Sequence, residues 1–110
     1  MNDEWIEVGS RKDFASAPAK VTVTGIPVVV WDRAGTLYAF SGRCPHAGAA
    51  MENCETDGAV MTCPLHGWRF DLTREGAELH GYRPLKMYSV KEMDGRVYVN
   101  CSSDMRSAVV

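Results

Sequence analysis

The chain reads as an all-β protein, an antiparallel sandwich or barrel. Three observations predict this: short β-branched and aromatic runs, turn signals at close intervals, and no stretch with the apolar spacing of a long helix. Trp5 to Val8 alternates weakly as a first strand, and Arg11 to Ala19, polar and containing Pro18, reads as a loop or a single helical turn. Lys20 to Thr24 and Val28 to Asp32 are β-branched runs joined through Gly25-Ile26-Pro27, and Arg33-Ala34-Gly35 turns the chain into Thr36 to Ser41. Asp57-Gly58 marks another hairpin, followed by Ala59 to Thr62 and by a short strand over Arg69 to Leu72. Thr73 to Pro84 reads as too polar for core. Leu85 to Met93 and Arg96 to Cys101 pair across Asp94-Gly95, the strongest turn signal in the chain, and Ser102 to Val110 reads as a frayed tail. Eight to ten such strands predict packed antiparallel sheets.

Length and charge restrict the function. At 110 residues and 12.1 kDa the chain is expected to be one domain, 1–110, small enough to gain from a metal staple. A net charge of −2 and a pI near 5.9 offer no basic surface for nucleic acid or an anionic membrane. The longest strongly apolar run, Ile26 to Trp31, falls far short of the roughly 20 residues of a membrane span. The acidic start, Met1-Asn2-Asp3-Glu4, lacks the basic and apolar regions of a secretory signal, so the expected location is the cytoplasm.

The chemistry lies in two signatures, Cys44-Pro45-His46 and Cys63-Pro64-Leu65-His66, with sixteen residues between them. Each offers one thiolate and one imidazole. That is an unusual way to hold one metal ion and a natural way to hold two, because a [2Fe–2S] cluster with mixed ligation takes two cysteines on one iron and two histidines on the other. Two Cys and two His also make a tetrahedral zinc site, and a zinc-stapled interaction module stays open on spacing alone. Zinc sites usually gather ligands in Cys-x(2–4)-Cys and His-x(3–5)-His pairs, which neither cysteine here has. The prolines after both cysteines and Gly67 after His66 have no particular role in a zinc finger. Cys54 and Cys101 are expected to be inert small hydrophobes in a reducing cytosol, and His80 a solvated loop histidine.

The segments Cys44-Pro45-His46-Ala47-Gly48 and Cys63-Pro64-Leu65-His66-Gly67-Trp68-Arg69-Phe70-Asp71 resemble the soluble Rieske-type ferredoxins of bacterial oxygenase systems. The resemblance runs from Trp5 to about Asn100, with specific ligand motifs and generic flanking strands. It implies a Rieske-type antiparallel β-sandwich carrying a small cluster-binding subdomain at about 41–71. It also implies that Cys44 and Cys63 bind the inner iron of one [2Fe–2S] cluster, and His46 and His66 the outer iron. Quinol-oxidising Rieske proteins tie their ligand loops with a disulfide; the matching positions here are Ala49 and Leu65. Those proteins also place hydroxyl side chains where Trp68 and Phe70 stand, so the resemblance points to a potential nearer about −150 mV than +300 mV.

A terminal oxygenase needs a further iron on two histidines and a carboxylate, and only His80 remains once His46 and His66 are used. The chain is therefore expected to carry electrons and not to be an enzyme. Its expected partners are an NAD(P)H-dependent flavoprotein reductase and a terminal oxygenase, first an aromatic-ring-hydroxylating dioxygenase and second a diiron monooxygenase. A small Rieske-like subunit of an assimilatory nitrite reductase is the other alternative. The protein is expected to be monomeric. Glu52, Glu55 and Asp57 form an acidic stretch between the loops that reads as a solvated face, and Trp68 as packing against the ligand loop.

Overall fold

A computed structural model describes residues 5–45, 48–63 and 67–101. Ten strands appear: β1 (Ile6–Ser10), β2 (Ala19–Val23), β3 (Ile26–Arg33), β4 (Thr36–Ser41), β5 (Glu55–Asp57), β6 (Val60–Thr62), β7 (Arg69–Asp71), β8 (Ala77–Glu78), β9 (Met87–Met93) and β10 (Arg96–Asn100). They form a six-stranded sheet in the order β1-β10-β9-β4-β3-β2 and a four-stranded sheet in the order β5-β6-β7-β8. Every pairing is antiparallel. Arg11–Phe14, Met51–Asn53 and Leu72–Arg74 are single 3-10 turns, and among the described residues no helix is long and apolar enough to cross a membrane.

The run Ile26 to Trp31 is continuously apolar because β3 is covered on both faces. Val28 and Val30 point into a core with Phe14, Val23, Ala39, Tyr88, Val97 and Val99. Val29 and Trp31 point the other way, into a second core shared with Phe40 and with Met61, Phe70 and Leu72 of the smaller unit. Successive side chains of a strand face opposite sides, so one strand feeds both cores and the smaller sheet is anchored to the larger through β3 and β4.

Three two-residue hairpins carry positive φ at both loop residues, as type I′ turns require: Thr24-Gly25 (48°, 84°), Ala34-Gly35 (53°, 92°) and Asp94-Gly95 (54°, 79°). The first corrects the expected turn over Gly25-Ile26-Pro27. Thr24 and Gly25 complete the reversal alone, so Ile26 pairs with Val23 and Pro27 with Thr22 inside the ladder. Pro27 has no N–H to donate, but its carbonyl accepts from Gly42 N–H at 2.9 Å, which ties β3 to the start of the first cysteine loop. The second correction concerns Thr73 to Pro84. That segment contributes β8 to the small sheet, and Glu78 is buried with only 5% of its surface exposed. The tail 102–110 lies outside the described residues.

Candidate metal centre

Both cysteine signatures sit in loops closed at the base by an antiparallel pair. Arg43 pairs with Ala50, and Thr62 pairs with Arg69, the same separation in each case. Within these frames Cys44 N–H donates to the Ala49 carbonyl (2.9 Å) and the Cys44 carbonyl accepts from Gly48 N–H (2.9 Å). The second loop repeats the pattern: Cys63 N–H donates to the Trp68 carbonyl (2.7 Å) and the Cys63 carbonyl accepts from Gly67 N–H (3.1 Å). Gly48 and Gly67 occupy equivalent left-handed positions, φ 71° and 73°, where a side chain would be strained although space for it exists. The two loops are one backbone device used twice. Their signatures differ only in where the histidine falls within it, two residues after Cys44 or three after Cys63. His46 and His66 themselves lie outside the described residues, as does Leu65.

Cys44 and Cys63 are 3% and 1% exposed and share one apolar core with Met51, Met61, Phe70 and Leu85. No disulfide joins any of the four cysteines. Two buried cysteines opening matching loop frames in one core bring together a pair of soft sulfur donors of the kind a transition-metal centre takes. Beside Cys63 opens a cavity of about 330 Å³ lined by Asn53, Glu55, Thr62, Cys63 and Gly67. The donor chemistry and the repeated loop frame fit a metal centre held between the loops.

Cys54 packs against the same core and lies about half-buried; its thiol donates to Met51 Sδ at 3.6 Å. Burial, with the Cys63 and Cys44 sulfurs adding repulsion, pushes that thiol up to about 12, so it stays protonated. Ala49, 9% exposed, packs in the same core. Trp68 packs against this core, stacks on Tyr82 (ring centroids 4.7 Å, 24°) and tilts against Phe70 at 6.4 Å.

Glu78 is the residue that sequence reasoning passed over. Its Oε2 accepts from Arg69 N–H (3.2 Å) and faces His80 Nδ1 (3.3 Å), while Oε1 accepts from His80 N–H (2.6 Å) and Tyr82 N–H (3.3 Å). Burial pushes this carboxyl up, but the three backbone donors and His80 outweigh it and hold it below the usual carboxylate range. His80, expected as a solvated loop residue, is exposed on its outer side and leans on this anion. No periodicity or spacing marks Glu78, because it sits in a two-residue strand within a glycine-rich polar stretch. In the acidic stretch, Glu55 and Asp57 are exposed on β5, whereas Glu52 has a buried Oε1 without a hydrogen-bond partner among the described residues.

The Rieske [2Fe-2S] domain family matches residues 4–99. The naphthalene 1,2-dioxygenase system ferredoxin component of Pseudomonas putida is 31% identical over 93% of this chain and all of its own length. Ferredoxin CarAc of Metapseudomonas resinovorans is 29% identical over 90% of this chain and 95% of its own. Among solved structures, the ferredoxin of carbazole 1,9a-dioxygenase from Nocardioides aromaticivorans IC177 superposes with a TM-score of 0.78 at 28% identity, covering 86% of this chain and 95% of that one. A chain of a complex of reduced oxygenase and oxidized ferredoxin in carbazole 1,9a-dioxygenase also matches, with a TM-score of 0.78 at 28% identity over 89% of this chain and 94% of that one. With two buried cysteines in twin loops and a match spanning almost its whole length, the chain belongs to the Rieske [2Fe-2S] domain family, and its cofactor is a Rieske-type [2Fe–2S] cluster.

Proposed function

We propose that this protein is a soluble electron-transfer ferredoxin. It takes one electron from an NAD(P)H-dependent flavoprotein reductase and delivers it to a terminal oxygenase, first among them an aromatic-ring-hydroxylating dioxygenase. The observation that carries this reading is the pair of equivalent loops, each presenting a buried cysteine from the same hydrogen-bonded frame. Its support from relatives is that similar chains of matching length are ferredoxin components of naphthalene and carbazole dioxygenase systems.

In this reading Cys44 and Cys63 hold the inner iron, and His46 and His66 the outer iron. The bound cluster supplies one-electron redox capacity. The chain's own residues do the rest: Met51, Met61, Phe70 and Leu85 keep water from the two thiolates, and the Gly48 and Gly67 turns fix each loop's path. The chain works as one domain, 1–110, with the cluster-binding part centred on 41–71, as a monomer in the cytoplasm. It transforms no substrate itself.

The test is an electron paramagnetic resonance spectrum of the anaerobically purified protein after dithionite reduction. The expected result is a rhombic signal with an average g below that of all-cysteine ferredoxins. A silent, colourless sample containing zinc would remove the electron-transfer role.

A further inference from the structure

We propose that Glu78 is the positioning residue of the second cysteine loop, and that its buried negative charge holds down the reduction potential of the centre. The inference rests on the metal-centre reading above for its second half only.

The geometry makes Glu78 a clamp between three pieces of chain. Through Arg69 N–H it grips the first residue after the loop, the one paired across the base with Thr62. Through His80 N–H and Tyr82 N–H it folds the following segment back over the same strand, and Leu79 N–H donates to the Arg69 carbonyl at 2.9 Å to close the junction. That fold-back sets Tyr82, 54% exposed, flat against Trp68, whose carbonyl accepts from Cys63 N–H. A single carboxylate thus links the cysteine, the tryptophan and the outer aromatic face. A carboxylate taking three backbone N–H donors on its two oxygens gives a buried junction that a neutral amide cannot copy, because an amide keeps one accepting oxygen and replaces the other with an NH2 group that only donates.

The charge is also close. Antiparallel partners lie about 5 Å apart and sequential residues about 4 Å, which puts the carboxylate no more than about 13 Å from the Cys63 backbone. Reduction adds one negative charge to the centre. A fixed anion at that range, at an effective dielectric of about 20, opposes one-electron reduction by about tenfold in its equilibrium constant.

The experiment compares wild type, Glu78→Gln and Glu78→Asp as cluster-containing proteins, by redox titration at pH 7 and by hydrogen–deuterium exchange of the 69–82 region. Glu78→Gln is expected to ease reduction about tenfold, which is about 59 mV for one electron, and to speed exchange over 69–82. Glu78→Asp, which keeps the charge on a shorter arm, is expected to speed exchange while holding the wild-type potential. An unchanged exchange rate in Glu78→Gln overturns the clamp. An unchanged potential, or an equal shift in Glu78→Asp, overturns the charge effect. Should Glu78→Gln fail to fold, exchange in the wild type decides: the Arg69, His80 and Tyr82 amides are expected to be as protected as those of β9 and β10, and fast exchange there rejects the clamp. A wild type that carries no iron–sulfur signal marks the failure of the functional reading alone, since the exchange arms still report on the clamp.

Discussion

At the scale of single residues, the apolar core around the centre contains three sulfhydryls, and their environments divide their roles. Cys44 and Cys63 start the twin loops with their backbones locked by identical hydrogen bonds, while Cys54 follows a 3-10 turn and keeps its proton against Met51. Cys54→Ala is therefore expected to retain full iron and sulfide content, measured by colorimetric analysis, and Cys44→Ala or Cys63→Ala to lose nearly all of it. Iron loss in Cys54→Ala comparable to that in the other two would make Cys54 a participant in the site. With its thiol pushed up to about 12, Cys54 should also resist alkylation at pH 8. The proposed division between these thiols is the one the sequence suggests, because Cys54 lacks both the following proline and a nearby histidine. Glu78 was not legible: its role comes from three backbone amides that converge only in the folded chain.

At the scale of elements, the large sheet is closed at the end of its hairpins by one cation. Arg11, in the 3-10 turn after β1, donates through Nε and Nη2 to both carboxylate oxygens of Asp32 (2.9 and 3.3 Å). It also reaches Glu92 Oε1 through Nη1 and the Gly35 carbonyl through Nη2, both at 2.6 Å. It therefore staples the β3–β4 hairpin to β9, while its own N–H donates to the Gly95 carbonyl at the β9–β10 turn. The Arg11 side chain is about a quarter exposed, so solvent screening keeps the value modest. Arg11→Ala is expected to cost about 1 kcal/mol at pH 7, read as a lower urea midpoint. Hydrogen bonds from Arg11 hold the Asp32 carboxyl below its ordinary range, so this stabilisation is complete above the unfolded value of about 3.8 and disappears as pH falls through the lower folded value. The gap between wild type and Arg11→Ala should accordingly narrow as the pH is taken below about 4. A gap that widens with acid would assign the staple to something other than ionised Asp32. The hairpins themselves were readable from Ala34-Gly35 and Asp94-Gly95, whose positive φ demands are written in residue type. The turn at Thr24-Gly25 was misplaced because the proline two residues on suggested a longer reversal, whereas in the fold its missing N–H is tolerated inside the strand.

At the scale of the whole molecule, the ring side chains beside the second loop and the Glu78 anion bias the centre in one direction. The loops have no disulfide between them. The side chains that follow the second loop, Trp68 and Phe70, present indole and phenyl rings and no hydroxyl to the core they pack against. Hydrogen bonds to cluster sulfur or thiolate favour the more negative reduced state, so ring side chains that bring no hydroxyl to the second loop leave the centre harder to reduce than hydroxyl-bearing ones would. The buried Glu78 anion acts in the same sense. The midpoint is thus expected near the low end of the Rieske range, closer to about −150 mV than to +300 mV. Such a midpoint suits the proposed route from a nicotinamide-linked flavoprotein to an oxygen-activating iron, whereas quinol oxidation favours the high end. Redox titration followed by circular dichroism or visible absorption checks this directly, and a midpoint above about +100 mV would return the protein to quinol chemistry. Introducing a hydroxyl at the buried ring position, Phe70→Tyr, separates the contributions: a hydroxyl that reaches sulfur raises the midpoint, and one that does not leaves it where Glu78 and the bare loops have set it.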